Sequence, residues 1–170
     1  MHPVEVKAAL ESAVLLLDTR EQETPRLRER LRKIGWPVER HKLDFGDYSV
    51  KCDFLSLADS VVIERKMSLD ELCECFGRSR PRFEREFERA KASGATTYLL
   101  VENASWEAIF AGKYRSKMAP QSLYASICAW LARYDCQILF CKPETTGQLI
   151  RDTLYRELKE RLEGMPDADV

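Results

Sequence analysis

A chain of 170 residues is long enough to bury one sizeable core and too short to need a second. Its 45% hydrophobic and 32% charged residues exclude a disordered or low-complexity chain, and a formal net charge of −1 excludes an overall basic field. Any contact with nucleic acid must therefore come from local patches. No basic, long-apolar leader opens the sequence and no run of about 18 apolar residues is present to span a membrane, so a soluble intracellular protein with no membrane partner is expected.

Residues 1–13 read as an N-terminal extension with a short helix after Pro3. Val14 to Leu17 is an apolar run that predicts a central strand, and it ends in Asp18, Thr19, Arg20 and Glu21, so a core strand delivers charge to a rim. Taken alone, that cluster fits a helix entry as well as a site. Thr24 and Pro25 start a helix with Leu27, Leu31 and Ile34 at helical spacing, and Gly35 stops it. Val38 to Leu43 is extended, Tyr48, Val50 and Cys52 alternate with polar residues, and the two segments predict a hairpin joined through residues 44–47.

The next strand holds Val61, Val62 and Ile63 and ends in Glu64, Arg65 and Lys66. Side chains alternate along a strand, so Val62, Glu64 and Lys66 share one face and Ile63 and Arg65 the other. An acidic pair with a lysine suits metal-assisted phosphodiester hydrolysis: carboxylates hold Mg²⁺, and lysine steadies the phosphate or the nucleophile. The alternative is an incidental Glu–Lys pair on a solvated strand end. Ser68 and Glu71 form a capping box that starts a helix with Asp70 in its first turn, where a carboxylate favours the helix dipole as readily as a metal.

Leu69, Leu72, Cys73 and Phe76 form that helix's apolar stripe, and Gly77 breaks it. In the following helix Arg78, Arg82, Arg85 and Arg89 share one face while Phe83, Phe87 and Ala90 share another. Interleaved glutamates put Arg82 in reach of Glu86; phosphate contact is expected of Arg78 and Arg82 and a solvated face of Arg85 and Arg89. A strand over residues 96–102 and a helix capped by Ser105 come next, then Lys113, Tyr114, Arg115, Ser116 and Lys117, which suit either DNA-backbone contacts or an ordinary exposed loop. Pro120 opens a helix, Gln137 to Cys141 is a strand, and Thr145 or Thr146 is expected to cap a last helix before a frayed tail at 164–170. The six cysteines form no CxxC pair and have no histidine nearby, so reduced, mostly core thiols are expected rather than zinc ligands. His2 and His41 are each isolated and carry no site.

Gly46, Asp47, Glu64, Arg65, Lys66 and Asp70 together spell GD…ERKxxxD. This resembles the signature of the XPF-type structure-specific DNA endonuclease domain, a branch of the restriction-endonuclease-like PD-(D/E)XK fold, and every position of it is matched. The resemblance implies an α/β domain over residues 14–163 with a central mixed β-sheet flanked by helices. It implies catalytic roles for Asp18, Arg20, Asp47, Glu64, Arg65, Lys66 and Asp70. It also implies Mg²⁺, with Mn²⁺ able to substitute, on Asp18, Glu21, Asp47 and Glu64. Arg20, Arg78, Arg82, Lys113, Arg115 and Lys117 are the expected DNA contacts.

The activity so implied is hydrolysis of one strand near a flap, fork or other branched DNA junction. The rivals are a catalytically silent DNA-binding or scaffold member and a nuclease for RNA or general repair. Family members usually carry a tandem helix-hairpin-helix domain and sometimes a helicase; neither is in this sequence, so a partner protein is expected to supply the former. Members pair through the C-terminal end of the domain. Trp130, Leu131, Tyr134, Leu149, Ile150, Leu154 and Tyr155 cover more than one face of the last two long helices, so a homodimer is expected there.

Overall fold

In the computed structural model, which describes residues 1–166, the chain runs α1 (Pro3–Glu11), β1 (Val14–Asp18), α2 (Pro25–Ile34), β2 (Val38–His41), β3 (Tyr48–Lys51), β4 (Val61–Lys66), α3 (Leu69–Phe76), α4 (Arg80–Ala92), β5 (Thr96–Glu102), α5 (Trp106–Phe110), α6 (Pro120–Tyr134), β6 (Gln137–Cys141) and α7 (Pro143–Glu163). Local chemistry explains most boundaries. Thr24 Oγ1 accepts the Leu27 N–H, Pro25 occupies the first turn, and Gly35 ends α2 in the left-handed region at φ 69°. Ser68 and Ser105 cap α3 and α5 in the same way. At α3 the reciprocal bond of the expected capping box goes one residue further back, from the Met67 N–H to Glu71. Helix α4 starts at Arg80, which leaves Arg78 in the preceding turn.

Two local expectations are corrected. Helix α7 starts at Pro143 rather than at a threonine cap, because proline fits a first helical turn, and Thr146 is buried inside the helix. The hairpin expected between the segments at 38–43 and 48–52 does not form. The sheet order is β2-β1-β3-β4-β5-β6, and β1 lies between them, parallel to β2 and antiparallel to β3. The three leucines of β1 are apolar on both faces and belong inside a sheet, whereas β2, mostly exposed, suits its edge. The antiparallel neighbour of β3 on its other side is β4.

One face of the sheet is covered by α1, α2 and α7, packed on Leu15, Leu17, Val50 and Ile63. Val6 and Ala9 of α1 are buried in this core, so the N-terminal segment is part of the packed unit. Gly147 lets α7 lie on α2: a Cβ there would come within 2.8 Å of the Arg30 carbonyl oxygen. The other face is covered by α3–α6 around an aromatic cluster in which Trp130 stacks on Phe83 at 5.0 Å and meets Phe76 edge-on at 5.1 Å.

This two-sided arrangement absorbs the apolar surplus that suggested a second copy. Trp130 and Tyr134 sit in the aromatic core, and Ile150 and Leu154 in the opposite one. Leu131, Leu149 and Tyr155 are half-buried. All six cysteines are free thiols; Cys128 is exposed and the others are buried or half-buried. Among the described residues no helix is long and apolar enough to cross a membrane. Of the tail expected at 164–170, residues 167–170 lie outside the described residues.

Candidate active site

Strands β2, β1, β4, β5 and β6 point the same way, and β3 opposes them. One edge of the sheet therefore collects the C-terminal ends of β1, β4 and β5 together with the start of β3. Ladder bonds continue past the start of β3: the Asp18 N–H donates to the Asp47 carbonyl and the Asp47 N–H to the Ile63 carbonyl, each at 2.9 Å. These bonds hold Asp47 between β1 and β4. The turn into Asp47 requires glycine, because Gly46 has φ 74° and a Cβ there would lie 2.7 Å from the Val62 Cβ.

A cavity of about 370 Å³ opens at this edge between β4 and α4. Asp47, Glu64 and Lys66 line it from the sheet, Arg20 and Glu21 from the β1 end, and Arg82 from α4. Glu64 and Lys66 share a face as the strand alternation predicts. Glu64 is 4% and Lys66 9% exposed, so the exposed-pair alternative does not hold. The Lys66 ammonium donates to Glu64 Oε1 and stands over the Phe83 ring, 5.2 Å from its centre. Glu64 Oε2 is sealed from solvent without a hydrogen-bond partner. Asp47 Oδ2 accepts the Arg65 N–H at 2.8 Å.

Burial, followed by the facing charges of Glu64 and Glu21, pushes Asp47 well above the usual carboxylate range. Burial also raises Glu64, against the pull of Lys66. Burial opposes the charge on Lys66, yet Glu64 and other nearby groups outweigh it and raise the lysine. Among the described residues no three histidine, cysteine or acidic side chains converge at ion-binding distance. Two under-compensated carboxylates, one with an orphaned buried oxygen, nevertheless match the hard-oxygen donor chemistry of a divalent cation.

The remaining expected site residues fall at several places. Asp18, expected on metal, does not line the cavity: Oδ1 accepts the Arg20 N–H at 2.9 Å and Nε at 2.5 Å, and Oδ2 accepts the Leu43 N–H at 2.9 Å. Burial raises this carboxyl, but the Arg20 and Leu43 bonds prevail and hold it below its ordinary value. Arg20 is half exposed at the cavity mouth. The Arg65 side chain leaves for the opposite face and meets Glu102 at 3.3 Å.

Asp70 also lies outside the cavity. Its Oδ1 accepts the Arg115 and Ser116 N–H groups at 2.8 and 2.7 Å, which ties down the basic loop. It stands in the first turn of α3, where the helix dipole favours a carboxylate, and the loop bonds are a further role that the sequence did not show. Arg115, Lys113 and Lys117 are exposed, and the Arg115 guanidinium lies 3.5 Å from Asp70 Oδ2. Arg78 is exposed and paired with Glu74 at 2.8 Å. Arg82 makes no ion pair among the described residues, because Glu86, its anticipated partner, is taken by the Gly46 N–H at 3.2 Å and Arg20 at 3.6 Å.

Several supporting residues escaped the sequence reading. Arg30 is 7% exposed; it donates to the Tyr48 hydroxyl at 2.8 Å and lies 3.7 Å from Glu102, which also accepts from Thr146 at 2.8 Å. The available signal was an arginine set among Leu27, Leu31 and Ile34 on an apolar helix face. Glu86 had no distinguishing signal, since its partners are 40 and 66 residues away in sequence.

A family described as ERCC4 domain matches residues 17–152. No curated protein matches the chain. Among solved structures it is similar to XPF from Aeropyrum pernix, with TM-score 0.62 and 25% identity, the match covering 88% of this chain and 67% of that one. It is similar also to XPF from Aeropyrum pernix in complex with DNA, with TM-score 0.61, 24% identity and coverage of 92% and 68%. The family match spans most of the domain, from the C-terminal end of β1 through all of β4, and with the shared sheet architecture it shows that the chain belongs to the ERCC4 domain family, as an XPF-type nuclease domain of the restriction-endonuclease-like fold.

Proposed function

We propose that the chain is a Mg²⁺-dependent DNA endonuclease that hydrolyses one strand near a flap, fork or other branched junction, with Mn²⁺ able to substitute. The observation that carries this reading is the meeting of Asp47 and Glu64 in one cavity, with Glu64 Oε2 unpartnered and Lys66 beside it. Asp47 and Glu64 would hold the ion, with Glu21 lining the same cavity. A divalent ion bound there supplies Lewis acidity to water and to the phosphodiester.

The chain's own groups do the rest. Lys66, kept protonated by Glu64, offers a fixed positive charge to the phosphate in a site largely shielded from water. Arg20 and Arg82 at the mouth supply donors that orient the strand. Phe83 and the aromatic core behind it keep Lys66 from swinging away. DNA as the substrate draws on the relative solved with DNA and on the exposed Lys113, Arg115 and Lys117. A silent scaffold reading is disfavoured by the intact Asp47, Glu64 and Lys66, because an unmatched pair of buried acids is a cost without chemistry to justify it.

A homodimer through the C-terminal helices, and a partner protein that supplies helix-hairpin-helix function, belong to the same proposal. The surface that remains for pairing is the outer side of α5 and α6, where Phe110, 60% exposed, contacts Tyr124, 39% exposed, at 4.8 Å. Sedimentation at roughly tens of micromolar tests it, and a monomer there counts against it. The activity is tested with labelled flap, fork, duplex and single-stranded oligonucleotides in Mg²⁺ or EDTA. Mg²⁺-dependent cutting of the branched substrates is the expected result, and binding without cutting favours the scaffold reading.

A further inference from the structure

A second cavity, of about 400 Å³, lies beside the first and shares Arg20, Glu21 and Arg65 with it as a common wall. The two differ in charge. The first is lined by six carboxylates and four cationic side chains. The second is lined by four arginines, Arg20, Arg26, Arg30 and Arg65, against only Glu21 and Glu102. Glu102 is already neutralised by Arg65 at 3.3 Å and Arg30 at 3.7 Å and accepts the Thr146 hydroxyl. Arg26 is exposed at the rim and pairs with no acid among the described residues.

We infer that this second cavity is a phosphate subsite for the DNA strand being cut, taking the backbone phosphate next to the scissile one, with Arg26 and Arg20 as its donors. The inference rests on the nuclease reading above and deepens it. An acid-lined cavity repels a bare phosphodiester, so a strand needs a cationic hold close by to keep its backbone at the acids. The shared wall supplies the link: Arg65 donates its N–H to Asp47 on one side, and its guanidinium is fixed by Glu102 on the other. Gln22 and Thr24 add polar groups to a lining that also includes Leu27 and Met67. Glu102 and Thr146 act here as positioning residues, holding Arg65 and Arg30 in place without reaching the strand.

The test is binding in EDTA of a forked DNA oligonucleotide to the full chain carrying Arg26→Glu. An acid in the first turn of α2 is compatible with the helix dipole, so the fold is expected to persist, as checked by thermal melting. Arg28→Glu, on the same helix and outside both cavities, is the charge control. Arg26→Glu is expected to weaken binding about tenfold and to flatten the slope of log affinity against log salt by about one, with Arg28→Glu near wild type.

A series of forks carrying one neutral methylphosphonate each is expected to show a position, adjacent to the cut, where wild type loses affinity and Arg26→Glu does not. Equal effects of Arg26→Glu and Arg28→Glu, no such position, or no DNA binding by wild type overturns the subsite. Arg26-dependent binding that is equal for an RNA fork overturns the assignment to DNA. Because this readout needs no cleavage, Arg26-dependent binding without cutting overturns the nuclease reading and leaves only a DNA phosphate site, whereas cutting with binding indifferent to Arg26 sinks the subsite alone.

Discussion

Four acids that the sequence motifs place on an equal footing divide into two kinds in the structure. Asp18 and Asp70 accept backbone N–H bonds from loops distant in sequence, and both are held below their ordinary pKa. At Asp70 burial works against this, and the Ser116 and Arg115 bonds prevail. Asp47 and Glu64 have fewer partners, line one cavity side by side from the sheet, and are pushed up. Acids of the first kind stabilise the fold through charged hydrogen bonds. Acids of the second kind destabilise the metal-free fold, and on the proposed reading a cation would relieve that cost. On the proposed reading, the difference separates a residue that builds the site from one that works in it.

The largest effect is expected at Asp47. Asp47→Asn keeps an acceptor for the Arg65 N–H but removes a charge, so cleavage of a labelled fork falls by roughly 10²-fold or more. At the same time the metal-free protein gains up to about 1 kcal/mol at pH 7. The sign follows from the raised folded pKa: stability tied to the protonated carboxyl is present at low pH and is lost as pH rises through that pKa. Melting of wild type and variant at pH 4.5 and 7 is expected to show the gain only at the higher value.

Lys66→Met comes next. It is expected to cost about 3 kcal/mol at neutral pH, because Glu64 is left buried and unpaired, and to lower the single-turnover rate on the order of 10²-fold. The stability loss is expected to shrink on acidification as Glu64 takes a proton. A rate loss at Lys66 no larger than at the distant Lys51 would show that the pair is only structural.

Much of the sheet edge was legible beforehand, because strand alternation depends only on neighbours in sequence. It put Glu64 with Lys66 and turned Arg65 away, and the GD turn could be recognised from its glycine. The role of Asp18 was not legible. A DxRE cluster looks the same whether its acid faces a cavity or accepts the Leu43 N–H, and that choice depends on a loop 25 residues away. The same holds for Asp70, whose partners lie 45 and 46 residues on. The hairpin failed for a related reason: β2 and β3 both alternate plausibly, and only competition for β1 decides their order.

Smaller effects are expected at the bonded acids. Asp18→Asn loses the ion pair to Arg20 and part of the grip on Leu43, a cost of about 2 kcal/mol. Because the folded pKa of Asp18 is lowered, its contribution is present above the unfolded pKa of about 4 and disappears as pH falls through the folded value. The deficit of the variant, followed by urea unfolding, is expected to narrow in acid. Asp70→Ala is the mildest, about 1 kcal/mol, with faster trypsin cleavage at Arg115 and Lys117 as the loop loosens and with cutting of DNA largely kept.

The division of the four acids is tested most directly by the single-turnover cleavage rate of a labelled DNA fork, measured in Mg²⁺ at saturating folded protein for Asp18→Asn, Asp70→Asn, Asp47→Asn and Glu64→Gln side by side. The account predicts rates within about tenfold of wild type for the first two and at the uncatalysed background for the last two. An Asp18→Asn protein that melts like wild type but cuts no better than Asp47→Asn would contradict it.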